Sequence, residues 1–421
     1  MSVAAIVLPT INKLSAMDLR KWPRRNDAAS IEARRDAIRG LVGDEPLAHD
    51  DEAWTRAQES HTGAAVIPVA VVGPLLVELG SYELDEPDGG LRETSRAHEE
   101  ILVPLAHTEG GLSASMSRGL KAAALSGGFR TYVLHDRITR ASCFICKTTA
   151  DAVRLASWLQ DSLDEMRAFL ASLDDPTLSK RAKLREVKTH VVGQMCHVLW
   201  AWTTGDACGP NMMTRNSYAL NMGYVLQQAP VKPVRALLEA NMGGDKKPSY
   251  EFFQSGHGKT VLAEATLDAE TISRVLHTTV DDLLELSWAG THGAVASGMQ
   301  SVAFTPASAI AAIFACTGQD LGMIGTSSMA HGTAHRTEDG GLHAAIRFPG
   351  LEVGTVGGGT TLPYARSWLA LLDCAGTGKV HRFAQIVAAA ALALEISASA
   401  AMATAGSEDF FRAHHERGGL R

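Results

Sequence analysis

Aromatic residues make up only 6% of this 421-residue chain, and there are just six cysteines. So few cysteines in a chain of this length do not make a disulfide framework, and free thiols are expected. Basic residues are not in excess: 39 Lys and Arg stand against 46 Asp and Glu, a formal net charge of −7. That balance offers no basic surface for a phosphate backbone and argues against a nucleic-acid partner. The opening residues, MSVAAIVLPT, lack the charged lead and long apolar run of a secretory signal. The longest apolar stretch, 386–405, is alanine-dominated and carries Glu395 and several hydroxyls, so it reads as a buried helix rather than a membrane span. No internal repeat, low-complexity linker or G-x-G-x-x-G fingerprint occurs. A cytoplasmic globular protein with no membrane partner is the expectation.

Apolar residues form 46% of the chain and charged ones 20%, enough for a sizeable core and two or three domains. Residues 15–60 carry alternating charge with helical apolar spacing and predict a helical lead-in. From Ala64 to Leu79, β-branched residues with Gly73-Pro74 predict strands and a sharp turn. A helix is expected over 111–125, a strand pair over 130–148, one helix over 152–173 and one long strand over 186–203. The acidic stretch 83–100 reads as a surface excursion. An inserted α+β unit at 142–237, inside a larger domain of 61–141 and 238–421 that follows a 1–60 lead-in, is the simplest arrangement. Cys143 and Cys146 form a lone C-x-x-C without a second ligand pair, and no metal is expected.

Five short segments bear chemistry. Residues 239–249, EANMGGDKKPS, hold one carboxylate beside two ammonium groups in a loop without periodicity, which fits a surface charge cluster as well as a site. HTEGGLSAS (107–115) sets Glu109 before two glycines and a helix start, where a carboxylate is favoured by the helix dipole in any case. TTGDACGPNMM (203–213) puts Asp206 at a strand-to-helix turn, where it also fits a plain N-cap. TGQDLG (317–322) ends an apolar helix with Asp320, and EVGTVGGGTTLP (352–363) is a loop whose backbone can approach a ligand closely.

Taken in order, ESHTGAAVIPVAVVGPL (59–75), TEGGLSAS, GDACGPNM, GDKKPS with GHGKTVLAEA (256–265), FACTGQD, EVGTVGGGT and FFRAHH (410–415) resemble the 3-hydroxy-3-methylglutaryl-coenzyme A reductase family over nearly the whole chain. The Asp-Lys-Lys form and the GTVGGGT loop look like its biosynthetic branch, and the membrane anchor of the animal enzymes has no counterpart. The resemblance implies an α/β (α+β) fold: a large helix-centred substrate domain with an inserted ferredoxin-like cofactor domain. It implies a homodimer with sites between subunits, with further assembly left open. It also implies reduction of a CoA thioester to an alcohol by two hydrides. Lys246 then matches the electrophile, Asp320 its partner, Glu109 the proton donor to the alcohol, and His414 the acid that protonates the departing thiolate, with His415 adjacent. Asp206, Ala207, Gly209, Asn211 and Met212, with Gly357, Gly358 and Gly359, match the dinucleotide site. Ser179 and Lys180 in SKRAKL match the segment that receives a 2′-phosphate, which favours NADPH over NADH. Arg140, Asp245 and Lys247 match substrate-holding positions.

The chain also departs from the family. Glu239 stands where the family has a serine, Trp288 falls near a family lysine, and Phe304-Thr305-Pro306-Ala307-Ser308 replaces an Asn-Ala-His-Ala-Ala-Asn run. An acid in place of a hydroxyl weakens recognition of a free carboxylate. The reaction the resemblance implies is hydroxymethylglutaryl-CoA to mevalonate, and the departures point to a different acyl group. The alternatives are the same chemistry on another acyl-CoA or carrier thioester, or an inactive homologue that serves as a binding subunit.

Overall fold

A computed structural model describes residues 27–30, 32, 54–55, 58–85 and 90–403. The chain forms two compact units, 1–68 and 69–421. In the first, Gln58 Nε2 lies 3.0 Å from His61 Nδ1, and most of the expected lead-in falls outside the described residues.

The second unit is built on strands ordered β2-β1-β3-β7-β9-β8: β1 (Val69–Leu84), β2 (Leu91–Ala106), β3 (Phe129–Ile145), β7 (Gly258–Leu267), β8 (His331–Arg336) and β9 (Leu342–Leu351). β4 (Lys183–Val192), β5 (Met195–Thr203) and β6 (Arg235–Leu237) branch from β3. The strand pair expected over 130–148 is one 17-residue strand, β3. Its first half pairs with β7 (Phe129↔Ala265) and its second with β5 (Ile138↔Trp202), so the expected border at 141/142 lies inside a continuous strand. From Ile138 to Phe144 every residue of β3 is buried, as in a strand covered on both faces.

Three further expectations are corrected. The strand over 186–203 is a hairpin: Val192 pairs with Met195 across Gly193-Gln194, and Gly193 takes the positive φ (58°) that a two-residue turn requires. The helix over 152–173 is two, α2 (Thr149–Asp161) and α3 (Leu163–Ser172), after α1 (Leu112–Leu125). Ser162 separates them, its hydroxyl donating to the Trp158 carbonyl at 2.7 Å, so apolar spacing persists while the axis breaks. The acidic stretch 83–100 is the end of β1 and the body of β2, apart from 86–89, which lie outside the described residues. Its charges pair across strands and elements, Arg92 with Glu83 at 2.8 Å and Arg382 bidentately with Glu99 at 2.6 and 2.9 Å. Charge along an outer strand discourages edge-to-edge pairing with other sheets.

Two hydrophobic clusters result. One lies among α2, β4, β5 and α4 (Pro210–Ala219), around the fully buried Trp200 and Trp202. The other gathers α1, α6 (Val280–Ser297), α7 (Pro306–Thr317) and α8 (Pro363–Leu371) with the main sheet around α9 (Val380–Ala403), while α5 (Tyr250–Ser255) precedes β7. α9 is long and apolar enough to cross a membrane by length and composition, and 78% of its most apolar window is buried inside the protein. Its alanines permit close approach: a Cβ on Gly119 of α1 would sit 1.8 Å from the Ala393 carbonyl oxygen. Gly119→Ala is therefore expected to cost about 1–3 kcal/mol through overpacking, read as a lower denaturant midpoint at unchanged m-value. A variant as stable as the parent would show that α1 and α9 can separate freely.

Candidate active site

The loop 239–249 lies between β6 and α5, and Ser249 caps α5 by accepting from the Phe252 N–H at 3.0 Å. Within it, Lys246 holds φ = 56°, a left-handed conformation that costs energy for any residue with a Cβ. The strained turn presents Lys246 Nζ to Asp320 Oδ2 at 2.7 Å, with both side chains 45% exposed. Asp320 follows α7 and is fixed by accepting from the Gly322 N–H at 2.9 Å. The hydrogen bond between Lys246 and Asp320 holds the Lys246 ammonium above the ordinary lysine value, against the opposing effect of burial. A cation fixed and kept protonated in this way can stabilise an oxyanion that develops beside it.

Behind Lys246 stands a second charged group. Arg140, on β3 and 7% exposed, donates through Nη1 to Glu239 Oε2 at 3.0 Å and to Asp245 Oδ2 at 3.4 Å. Glu239 Oε1 also accepts from the Asn241 N–H at 2.6 Å, so its carboxylate holds the loop as well as the guanidinium. Lys247 is exposed and donates to the Asp245 carbonyl at 3.2 Å.

Two buried residues adjoin these groups and were not singled out from sequence, although both lie inside the quoted motifs. Burial pushes the Glu352 carboxyl well above its ordinary value, opposed by its hydrogen bond from Thr326 Oγ1 and reinforced by the charge of Asp245. Burial pushes the His257 imidazole down to about 3, with Arg140 and Arg137 adding to it. His257 Nε2 approaches Glu352 Oε2 at 3.5 Å, and burial disfavours the charged form of each. The only hint in the sequence is that each opens a glycine-bearing turn at a strand end.

The segments expected to hold a dinucleotide meet. Ser179 Oγ lies 2.9 Å from Met212 Sδ, and Asn216 grips the Ser179 backbone through Oδ1 (3.1 Å) and Nδ2 (3.0 Å). Ser179, Lys180, Lys183 and Arg185 line a cleft of about 380 Å³, a cationic wall suited to a phosphate. The Asp206 carbonyl accepts from the Thr355 N–H at 2.8 Å, which joins the 203–213 turn to the glycine loop. The Asp206 carboxylate is engaged elsewhere, accepting from the Lys379 and Val380 N–H groups at 2.9 and 3.2 Å as the cap of α9. Gly209 (φ = 95°) has no room for a Cβ, which would lie 2.3 Å from Thr204, whereas Gly357 and Gly358 have positive φ and open space before them. Ala207 is half-buried, and Asn211 is exposed at the start of α4. Gly359 packs backbone to backbone against Gly318.

Not every expected residue joins the cluster. Glu109 is exposed in the β2–α1 loop and, among the described residues, makes no hydrogen bond to Lys246 or Asp320. His414 lies outside the described residues. Trp288 is exposed on α6. Phe304 and Thr305 are held by Glu395 of α9, which accepts from both N–H groups at 2.8 Å and seats the start of α7.

The family model described as "Hydroxymethylglutaryl-coenzyme A reductase" matches residues 30–418. A 3-hydroxy-3-methylglutaryl-coenzyme A reductase from Aeropyrum pernix is 36% identical over 88% of this chain and 84% of its own length. One from Pyrococcus abyssi is 33% identical over 98% and 99%. Among solved structures, the class II reductase of Streptococcus pneumoniae bound to NADPH superposes with a TM-score of 0.63 at 18% identity, covering 89% of this chain and 84% of that one. At that identity the likeness is one of fold.

Proposed function

The chain belongs to the hydroxymethylglutaryl-coenzyme A reductase family, and from that premise we propose that it reduces hydroxymethylglutaryl-CoA to mevalonate with NADPH. The observation that carries this reading is the Lys246–Asp320 pair at 2.7 Å on a strained loop. NADPH, when bound, supplies hydride to the acyl carbon. Lys246 faces the carbonyl oxygen and stabilises the charge that gathers there, and Asp320 keeps it protonated and aimed. Glu109 gives a proton to the alcohol oxygen, and His414 protonates the departing thiolate before it can re-attack the aldehyde. Ser179 and Lys180 would receive the 2′-phosphate of the cofactor, and the turn from Asp206 to Met212, with Gly357 and Gly358 and the open space before them, would hold the rest of it.

The paired lysines and the archaeal relatives at 33–36% identity favour the biosynthetic type. A homodimer that completes each site accounts for Glu109 having no partner in the Lys246 cluster. It would also cover Trp288, Val295 and Met299, which are 68%, 73% and 59% exposed.

The test is NADPH oxidation by the purified protein with hydroxymethylglutaryl-CoA, with product identified by mass spectrometry. Mevalonate is the expected product, and the absence of both turnover and NADPH binding would overturn the reading. Tight NADPH binding without turnover would redirect it to another acyl thioester, a reading favoured by one observation: Glu239 and Asp245 already engage Arg140. Glu239→Ser frees that guanidinium for a substrate carboxylate and is expected to lower KM for hydroxymethylglutaryl-CoA about tenfold. An unchanged KM would remove Glu239 from the acyl pocket.

A further inference from the structure

Asp245, His257 and Glu352 each offer a ligand atom within 4.8 Å of the other two. His257 and Glu352 are 1% exposed, and Asp245 Oδ1, His257 Nε2 and Glu352 Oε2 are all buried without a hydrogen-bond partner. Buried polar atoms are ordinarily paired, so three unpaired ones converging on a point require an explanation.

The opposite end of each side chain is anchored. Glu352 Oε1 accepts from Thr326 Oγ1, and Asp245 Oδ2 accepts from Arg140 at 3.4 Å. Thr139 Oγ1 lies 2.7 Å from His257 Nδ1 and donates its proton to the Gly243 carbonyl at 2.8 Å. With the hydroxyl proton so committed, the short contact is met by Nδ1–H donating to Thr139 Oγ1. The Thr139 N–H, 3.3 Å from Nδ1, is the weaker contact of the two. The tautomer that satisfies the two short bonds leaves Nε2 as a bare lone pair. With Glu352 ionised, a lone pair and two carboxylate oxygens, all acceptors, face one another, each held in place from behind.

From this geometry we propose that Asp245, His257 and Glu352 form a site for one divalent transition-metal cation of the zinc type. An imidazole with two carboxylates suits Zn²⁺, Co²⁺ or Mn²⁺ better than Mg²⁺, which prefers oxygen ligands and its own waters. An ion about 2.0–2.2 Å from each atom draws them slightly together. The anchored far ends are the outer-shell contacts that orient metal ligands. Asp245, the least buried member, opens the site toward solvent and leaves a coordination position for water or a substrate oxygen. Because Asp245 precedes Lys246, an ion there also fixes the loop that carries the lysine. Metal binding can be measured without turnover, so its failure is distinguishable from failure of the reductase reading.

The test uses the full chain after chelator treatment, titrated with Zn²⁺ and, separately, with Co²⁺, whose visible absorption reports coordination. Wild-type protein is expected to bind one ion per chain, tightly enough to raise the melting temperature, with Zn²⁺ preferred over Mn²⁺. Asp245→Asn and Glu352→Gln should each weaken binding by at least about a hundredfold, exceeding the loss typical of outer-shell changes. His292→Ala, on exposed α6, should leave it unchanged. Asp245 lies in a half-exposed loop, so its variant keeps the test valid if a substitution at Glu352 unfolds the protein. Wild-type protein that binds no stoichiometric ion, or binding that Asp245→Asn leaves intact, overturns the proposal and assigns the place between the acceptors to a proton on Glu352.

Discussion

Lys246→Ala is expected to lower kcat by roughly 10²–10³, the loss usual for removing one group that stabilises a developing oxyanion. Binding of NADPH, measured by fluorescence titration, should stay within a few-fold of the parent. The cleft lined by Ser179, Lys180, Lys183 and Arg185 belongs to another part of the chain. The separation follows from how the lysine is held. Its ammonium is fixed by a single carboxylate, Asp320, and both groups are nearly half exposed, so the pair contributes little to folding. A side chain held in a left-handed backbone conformation for so little stabilisation points to a catalytic rather than a structural role. Asp320→Asn should act in the same direction but less strongly, because the ammonium remains while its orientation relaxes. If the alanine variant keeps kcat within a few-fold of the parent, the cation at this position is a surface charge and the chemistry lies elsewhere.

Local signals carried much of this site and failed where partners are distant in sequence. Asp245-Lys246-Lys247 and Asp320 were legible because each sits in a short loop with glycines beside it. The meeting of Lys246 with Asp320 was anticipated only through the family resemblance, since 74 positions of chain separate the two residues. Gly111 as the start of α1 and the alanine-rich α9 were read correctly, because periodicity and glycine act locally. The double use of β3 could not be read, since an apolar run is compatible with any number of partner strands. The same limit hid β2, whose acidic residues look like a solvated loop until Arg92 and Arg382 supply the opposite charges. His257 and Glu352 escaped notice because a lone histidine and a lone acid gain meaning only when folding turns their free atoms toward each other. Asp206 shows the converse: its turn was placed near the glycine loop, yet its carboxylate caps a helix that begins 174 residues later.

That helix start is also where the largest loss of stability is expected. Asp136 on β3 stands directly opposite Lys259 on β7, and its carboxylate bridges Lys259 Nζ at 2.9 Å and His381 Nε2 at 2.8 Å, near the start of α9. Asp136 and Lys259 are almost fully buried, so each charge depends on the other for what water would have supplied. Burial pushes the Asp136 carboxyl up, but the Lys259 charge and the His381 hydrogen bond outweigh it, and the group titrates below the ordinary aspartate value. A folded-state value below the unfolded one means stability that is present above the unfolded pKa and lost as pH falls through the folded one. Asp136→Asn keeps the shape, removes the charge and leaves an unpaired ammonium in the interior. It is expected to cost about 3–5 kcal/mol at neutral pH, read from denaturant midpoints. Part of the parent's acid sensitivity should vanish with the carboxylate, so the gap between parent and variant narrows toward low pH. Adding Lys259→Met should recover much of the loss, since it removes the unpaired buried ammonium that makes breaking the pair costly. A single variant within about 1 kcal/mol of the parent would mean that water reaches the pair. The joint between the sheet and α9 would then rest on Gln385, which bonds the Gly80 N–H and carbonyl at 2.8 and 2.9 Å, and on the Asp206 cap that ties α9 to the dinucleotide turn.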